Sequence, residues 1–254
     1  MPARISMTAL PGLPRVREGD DVAALIAEAA TRCGEALQDG DIVVIAQKIV
    51  SKAEGRMVDL ANVEVSDAAR EMAELCDKDP RQMELVLAES SEVMRARRGV
   101  VIVALHNGLV LANAGIDRSN VDGEGEDHVL LLPVDPDASA AAIREGLATI
   151  SGARVGVIIA DSIGRAWRLG TIGTAIGASG VRCLTDLRGA PDMNGRVLQT
   201  TDVGTADELA AAASMLMGQA AEGTPVVLIR GAASALGEGR AVDLVRPVEM
   251  DLFR

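Results

Sequence analysis

A mixed α/β fold, a two-lobed mixed sheet with flanking helices, is predicted by three features of this 254-residue sequence. Three unbroken apolar runs, 41–46 (DIVVIA), 155–160 (VGVIIA) and 225–229 (PVVLI), have the length and β-branched content of buried strands. Segments of helical period lie between them. Two further apolar runs flank the turn His106-Asn107-Gly108, which reads as a hairpin. Strands alternating with helices predict parallel pairing, and the hairpin adds antiparallel pairing, so the sheet is mixed. No internal repeat or low-complexity linker divides the chain. Residues 1–254 are read as one unit, in two intertwined lobes.

Composition narrows what the chain can do. Apolar residues make up 48% but aromatics only 1%, so the core must be built from Ala, Val, Leu, Ile and Met. The net charge of −12 argues against nucleic acid or an anionic membrane as a bulk partner. In so acidic a chain Lys52, Arg118, Arg165 and Arg168 become informative about an anionic ligand. The cysteines, Cys33, Cys76 and Cys183, are odd in number and widely spaced, which suggests neither a disulfide framework nor a zinc site. A reduced, cytoplasmic setting is expected. No signal peptide and no bilayer-spanning apolar run is seen.

In chain order, 1–19 holds the proline-rich string ALPGLPRV, read as a stiff loop. Asp20 or Asp21 caps a helix running through Leu37 and ended by Gly40. The strand 41–46 leads into Gln47, Lys48, Ser51 and Lys52. Lys48 and Lys52, four apart, share a face whether helical or extended. Ser66 caps a helix through Cys76. Asp79-Pro80 begins another, expected to continue to about Met94, with Arg95, Arg97 and Arg98 as its solvated end. The hairpin 100–112 follows. Segment 113–129 is polar and turn-rich. Residues 130–132 read as a strand and 138–150 as a helix.

The stretch 155–180 organises the rest. Its apolar strand is expected to stop at Asp161-Ser162. Glycines 164, 170, 173, 177 and 180 follow, interleaved with Arg165 and Arg168. A carboxylate at the end of a buried strand is placed to hold a metal. Arginines can pair with phosphate oxygens, and glycines let a backbone approach a ligand. The same residues also fit a strand, a turn and a glycine-rich connection with a solvated Asp. Beyond it, 181–184 reads as a short strand, 185–205 as turns with a hairpin at Asn194-Gly195, and 207–221 as a helix. Phe253, the only Phe, reads as a docking anchor. Neither G-x-x-x-x-G-K-[ST] nor G-x-G-x-x-G occurs. His106 and His128 are the only histidines, and no Ser-His-Asp order stands out. Asp117, Asp161 and Ser162 are oxygen donors, which suit Mg²⁺ or Mn²⁺ better than zinc.

Several strings together resemble one family, the coenzyme F420 γ-glutamyl ligases (coenzyme F420-0:L-glutamate ligase). They are ALPGLP, DIVVIAQKIVSKAEGR, KDPRQMELVLAESSEVMR, HNGLVLANAGIDRSNV, IIADSIGRAWRLGTIGTAIG, LRGAPDMNGR, GTPVVLIRG and RPVEMDLF. They fall in the family's order and span nearly the whole chain. The resemblance implies a GTP-dependent ligase joining the amine of L-glutamate to the phospholactyl carboxylate of coenzyme F420-0 through an acyl phosphate. It implies GTP as substrate nucleotide, Mg²⁺ or Mn²⁺ with K⁺ as a further cation, and a homodimer. Neither nucleic acid nor membrane is an expected partner.

Residue by residue, Asp117 and Asp161 match the family's metal-binding aspartates, Ser162 its second-metal hydroxyl, and Gln219 a further metal-contacting position where a neutral amide is a weaker ligand. Leu10, Pro11, Gly12, Leu13, Gln47, Lys52 and Asn120 match nucleotide-contacting positions. So does the segment Met217, Gly218, Gln219, Ala220, Ala221, Glu222, Gly223 and Thr224. Lys52 is assigned to phosphate charge, and Gln47 stands where the family carries a small polar group. Asp161, Lys52 and Arg165 are the expected catalytic residues; Arg118, Arg165 and Arg168 are read as anion clamps. One departure is plain. Where the family often has G-Q-T-D-x-A-I-G, residues 170–177 read GTIGTAIG, without the Gln and the Asp. A fused reductase domain, which some relatives carry, is not expected. The rival readings are a paralogous ligase for another phosphorylated carboxylate and a non-catalytic GTP- or deazaflavin-binding protein.

Overall fold

The structure, a computed structural model, describes residues 4–119 and 127–252. Asn120 and Phe253 lie outside them. In chain order the elements are β1 (Ser6–Ala9), α1 (Val22–Arg32), β2 (Ile42–Ala46), α2 (Gln47–Ala53), β3 (Met57–Asp59), α3 (Asp67–Cys76), α4 (Pro80–Ala88), β4 (Ser90–Arg97) and β5 (Val100–Leu105). They continue with β6 (Val110–Ala112), β7 (His128–Leu130), α5 (Pro136–Ser151), β8 (Gly156–Arg165), β9 (Arg168–Ser179), β10 (Leu184–Asp186), β11 (Asp202–Gly204), α6 (Thr205–Met217) and β12 (Val226–Arg230).

The three apolar runs become β2, β8 and β12, and they meet in one sheet of order β1-β12-β2-β8-β9. β2 and β8 are parallel, and the other neighbours are antiparallel. The sheet is therefore mixed, as expected. Alternation along β2 divides its side chains between two cores: Val43 and Ile45 face one, Ile42 and Val44 the other. Residues of α1 and α5 cover the first face; Ala206, Leu209, Ala210 and Ala213 of α6 cover the second. Two-sided burial explains why these strands read as continuous apolar runs. At the end of the sheet where β2 begins, buried Asp41 takes a two-pronged ion pair from Arg230, with Nε at 2.9 Å and the terminal nitrogen at 2.8 Å. Beside this sheet stand the three-stranded β4-β5-β6 and the pair β3-β7.

Four readings are corrected. The first helix ends at Arg32, not Leu37, because Gly34 turns left-handed at φ 74° and Glu35 N donates back to Ala30 O. Gly40 instead turns the chain into β2. The second is the helix begun at Pro80, which stops at Ala88. Residues 90–97 are strand β4, held to β5, so Arg95 and Arg97 lie on a strand and not at a helix end. Third, ALPGLPRV is preceded by a strand, β1, that the proline-rich reading passed over.

The fourth concerns the organising stretch. β8 does not stop at Asp161 but runs to Arg165, and the glycine-rich segment is its antiparallel partner β9. A bulge at Ile176 reverses which face β9 presents. On one side of it, a Cβ at Gly173 would collide with the Ala210 carbonyl of α6. On the other, a Cβ at Gly177 would collide with the Pro136 carbonyl of α5. These glycines admit helix backbones. Gly177→Ala is expected to lower stability by about 1–3 kcal/mol, as overpacking does. A thermal melt of that variant against wild type checks it.

Candidate functional site

β2 and β8 run side by side with Ala46 opposite Ala160. The residues that follow, Gln47 and Asp161, therefore emerge together at the carboxyl ends of two parallel strands, where open α/β sheets form ligand crevices. A cavity of ≈470 Å³ opens there. Gln47, Lys48 and Lys52 line it from α2, Asp161 and Ser162 from β8, Gly173 from β9, and Ser214 and residues 217–225 from α6 and the loop beyond.

Helical α2 puts Lys48 and Lys52 one turn apart on this wall. Gln47 is 1% exposed; its Oε1 accepts from Ser51 Oγ at 2.8 Å, while its Nε2 meets no acceptor at hydrogen-bonding geometry. A buried amide N–H with no partner is costly unless a ligand supplies one. Lys48 Nζ lies 2.9 Å from Asp117 Oδ2 and donates to Ser119 Oγ at 2.8 Å and Ser119 O at 3.2 Å. Asp117 is itself fixed by backbone pairing with Leu130. It stands behind Lys48 and does not line the cavity.

The Asp161 carboxyl is raised from 3.8 to about 6, first by burial and then by the charge of Asp117. Backbone donation at Ser162, the Lys48 ammonium and the Gln47 amide act in the opposite direction. Asp117 and Asp161 thus belong to one electrostatic cluster. Alternation along β8 sends Asp161 to the face shared with α2 and Ser162 to the face shared with α6. Neighbours in sequence, they cannot turn their side chains to one ion. Asp161 therefore shares a face with the α2 side, and Ser162 with the α6 side, where Gln219 also lines the cavity. Among the described residues no group of three or more His, Cys, Asp or Glu converges. Two carboxylates suit a hard divalent ion, which keeps several waters and leans on substrate phosphates. Such an ion would offset both the burial that chiefly raises Asp161 and the lesser repulsion from Asp117.

Other expected residues lie differently. Gln219 lines the cavity, but its Nε2 donates to Ser214 Oγ at 3.1 Å. Glu222 folds back on its own loop, its Oε2 accepting from Ala220 N at 2.8 Å, and Thr224 Oγ1 donates to the Leu216 and Met217 carbonyls. Leu10 is fully buried in the core, its N–H bonded to Val226 O, so its side chain is not open to a ligand. Pro11, Gly12 and Leu13 do not line the cavity, and the Gly12 carbonyl accepts from Arg32. Arg165, expected in the catalytic set, stands apart from this cavity. It sits four residues beyond Asp161, roughly 13 Å along the strand, donates to Leu169 O and does not line the cavity. Arg118 lies 3.5 Å from Asp79, an N-cap carboxylate shared with Arg81, and does not line the cavity. Arg168 pairs across the same hairpin end as Arg165.

Sequence reasoning left Lys48, Arg15 and Ser214 out of the site. The first was signalled by its spacing from Lys52, and Arg15 by its place beside the proline loop; Ser214, inside an Ala/Met-rich helix, carried no signal.

The model of the F420-0:gamma-glutamyl ligase family matches residues 12–231. The chain belongs to that family. A protein of Methanothermobacter thermautotrophicus named coenzyme F420:L-glutamate ligase is 46% identical over 252 residues, 98% of this chain and 99% of its own. Proteins of the same name from Methanocaldococcus jannaschii and Archaeoglobus fulgidus are 44% and 41% identical, over 86% and 99% of this chain and 86% and 97% of their own. Membership in the F420-0:gamma-glutamyl ligase family also gives residues 170–177 a physical reading. An Asp at Gly173 would push against Ala210 and Ser214, so α6 packs more closely here than such a side chain would permit.

Because its pKa is raised, Asp161 costs nothing below about pH 4 and costs increasingly as pH rises through 4 to 6, about 3 kcal/mol at most. Metal-free Asp161→Asn is therefore expected to be more stable than wild type at pH 7.5, with the difference shrinking toward zero at pH 4. Denaturant midpoints across that range check it.

Proposed function

We propose that this chain joins L-glutamate to coenzyme F420-0 by GTP-dependent amide formation. The observation that carries the reading is the wall of the ≈470 Å³ cavity: the buried Gln47 amide beside Asp161, two lysines on one helical face, and Asp161 in the field of Asp117. A triphosphate would add its negative charge beside those lysines. The relatives named coenzyme F420:L-glutamate ligase support the acceptor and the amino acid.

In this reading an oxygen of the phospholactyl carboxylate attacks the γ-phosphorus, and the bond from phosphorus to the β–γ bridging oxygen breaks. GDP leaves and an acyl phosphate remains. The amine of glutamate then attacks the acyl carbon; the C–O bond to phosphate breaks, and the nitrogen loses a proton as the amide forms. Lys52 holds phosphate charge and the Gln47 amide donates to the nucleotide. Asp117 and Asp161 would hold one divalent ion, Mg²⁺ or Mn²⁺, and Ser162 with Gln219 a second, with K⁺ as a further cation. Such ions neutralise charge that builds on the transferred group. A smaller cavity of ≈190 Å³ shares Arg15 and Lys52 with the main one and adds Arg17 and Glu18. That charge set complements an amino acid bearing two carboxylates and one ammonium.

The reading includes a homodimer, supported by the β8–β9 hairpin tip, where Trp167 is 80% and Leu169 100% exposed. It also includes a cytoplasmic setting, supported by three free cysteines. Among the described residues, no helix is long and apolar enough to cross a membrane.

Incubation with F420-0, L-glutamate, GTP and Mn²⁺ is expected to yield a product heavier by a glutamyl residue, together with GDP and phosphate, as read by mass spectrometry. Product formed equally well without nucleotide would overturn the GTP requirement. Lys52→Ala is expected to raise the KM for GTP about tenfold or more, the scale of one lost charge-assisted phosphate contact. Steady-state kinetics with GTP varied check it.

A further inference from the structure

Lys48 is bound to the face of Asp117 that a metal ion would need. Its ammonium has three hydrogens and three acceptors: Asp117 Oδ2 at 2.9 Å, Ser119 Oγ at 2.8 Å and Ser119 O at 3.2 Å. On the other side of the carboxylate, Asp117 Oδ1 accepts from Ser119 Oγ at 2.9 Å and from Ser119 N at 3.3 Å. Each carboxylate oxygen offers about two lone-pair sites. Oδ1 is filled. Among the described residues Oδ2 has one site left, and the ammonium stands beside it.

A divalent ion ligated through Oδ2 would lie close to a full positive charge. In a partly solvated site that repulsion is worth several kcal/mol before relaxation. Lys48 and Asp117 side chains are 28% and 27% exposed, so neither is sealed in place. Lys48 also lines the cavity, whereas Asp117 does not. A lysine that lets go of Asp117 has open space to turn into, on the same wall as Lys52.

We propose that Lys48 is a resident counter-cation: it holds Asp117 in the metal-free protein, competes with the divalent ion for that carboxylate, and on displacement turns its charge into the cavity toward bound phosphate. This rests on the reading of Asp117 and Asp161 as a metal pair. It gives Lys48 a role in coupling metal binding to nucleotide binding that differs from the fixed phosphate contact assigned to Lys52.

The test is Mn²⁺ binding to the full chain without nucleotide, followed by electron paramagnetic resonance or calorimetry. Lys48→Met removes the charge at similar length. Lys48→Gln removes it but keeps an N–H donor for Asp117 and Ser119, which guards against a loop that comes loose. Both variants are expected to bind Mn²⁺ about tenfold more tightly than wild type, the scale of one removed competing charge. Both are also expected to show a raised Kd for GTP measured in the presence of saturating Mn²⁺. A merely structural lysine predicts the opposite for metal, since losing its ties to Asp117 would loosen the ligand and weaken binding. Unchanged or weaker Mn²⁺ affinity in both variants, alongside measurable binding in wild type, overturns the role of Lys48. Wild type that binds no Mn²⁺ at all overturns the metal pair itself, and the competition with it.

Discussion

Parallel pairing of β2 with β8 is the constraint on which the site depends. With Ala46 opposite Ala160, two chain segments more than a hundred residues apart end their pairing with each other at the same level. One of them turns at once into a helix bearing Gln47, Lys48 and Lys52. The other continues as a strand and carries Asp161 just past the last buried position. A shift of one residue in this register would send Asp161 to the α6 face and Ser162 to the α2 face, exchanging the two donor groups. The register is held by the apolar burial of both strands and, at the opposite end, by the Gly156 N–H donating to Asp41 O at 2.9 Å.

Charge then determines what the cavity accepts. The chain is acidic overall, yet its basic groups are mostly committed elsewhere: Arg230 to Asp41, Arg56 to Glu89, and Arg81 and Arg118 to Asp79. The cavity wall retains Lys48 and Lys52, with Asp161 raised and Asp117 neutralised by a lysine. Neither a free carboxylate pair nor a free lysine pair describes this wall. It is a balanced set of charges that an anion and a cation would have to enter together.

Much of this could be read from sequence, and the exceptions have physical causes. Runs such as 41–46 and 225–229 declared themselves because burial on both faces leaves no polar position to blur the pattern. Caps at Asp21, Ser66 and Asp79 were legible because a side-chain oxygen must satisfy a helix-end N–H, and each does so here. The continuation of β8 past Asp161 was hidden, because beyond the core its side chains alternate between half-buried and exposed and the apolar signal ends. β4 was hidden for the same reason: SSEVMRAR has the composition of a helix end, and only pairing with β5 makes it a strand. Asp117 and Asp161 were found as separate oxygen donors. That Lys48 lies against one of them depends on a contact across 69 positions, which no local pattern encodes.

The glycines of β9 serve packing as well as the cavity. Their density suggested a backbone open to a ligand, and Gly173 lines the cavity; Gly173 and Gly177 also face opposite ways across a bulge and admit α6 and α5 to the strand. The functional consequence is indirect but firm. α6 carries Ser214 and leads into the loop with Gln219 and Glu222, so the depth to which it settles on Gly173 sets the far wall of the cavity. A side chain at 173 would move that wall outward and carry the Ser162–Gln219 donors apart, leaving Asp117 and Asp161 where they are. The two donor groups are thus supported by different parts of the fold: one by the β2–β8 register, the other by a helix whose approach depends on the absence of a single Cβ.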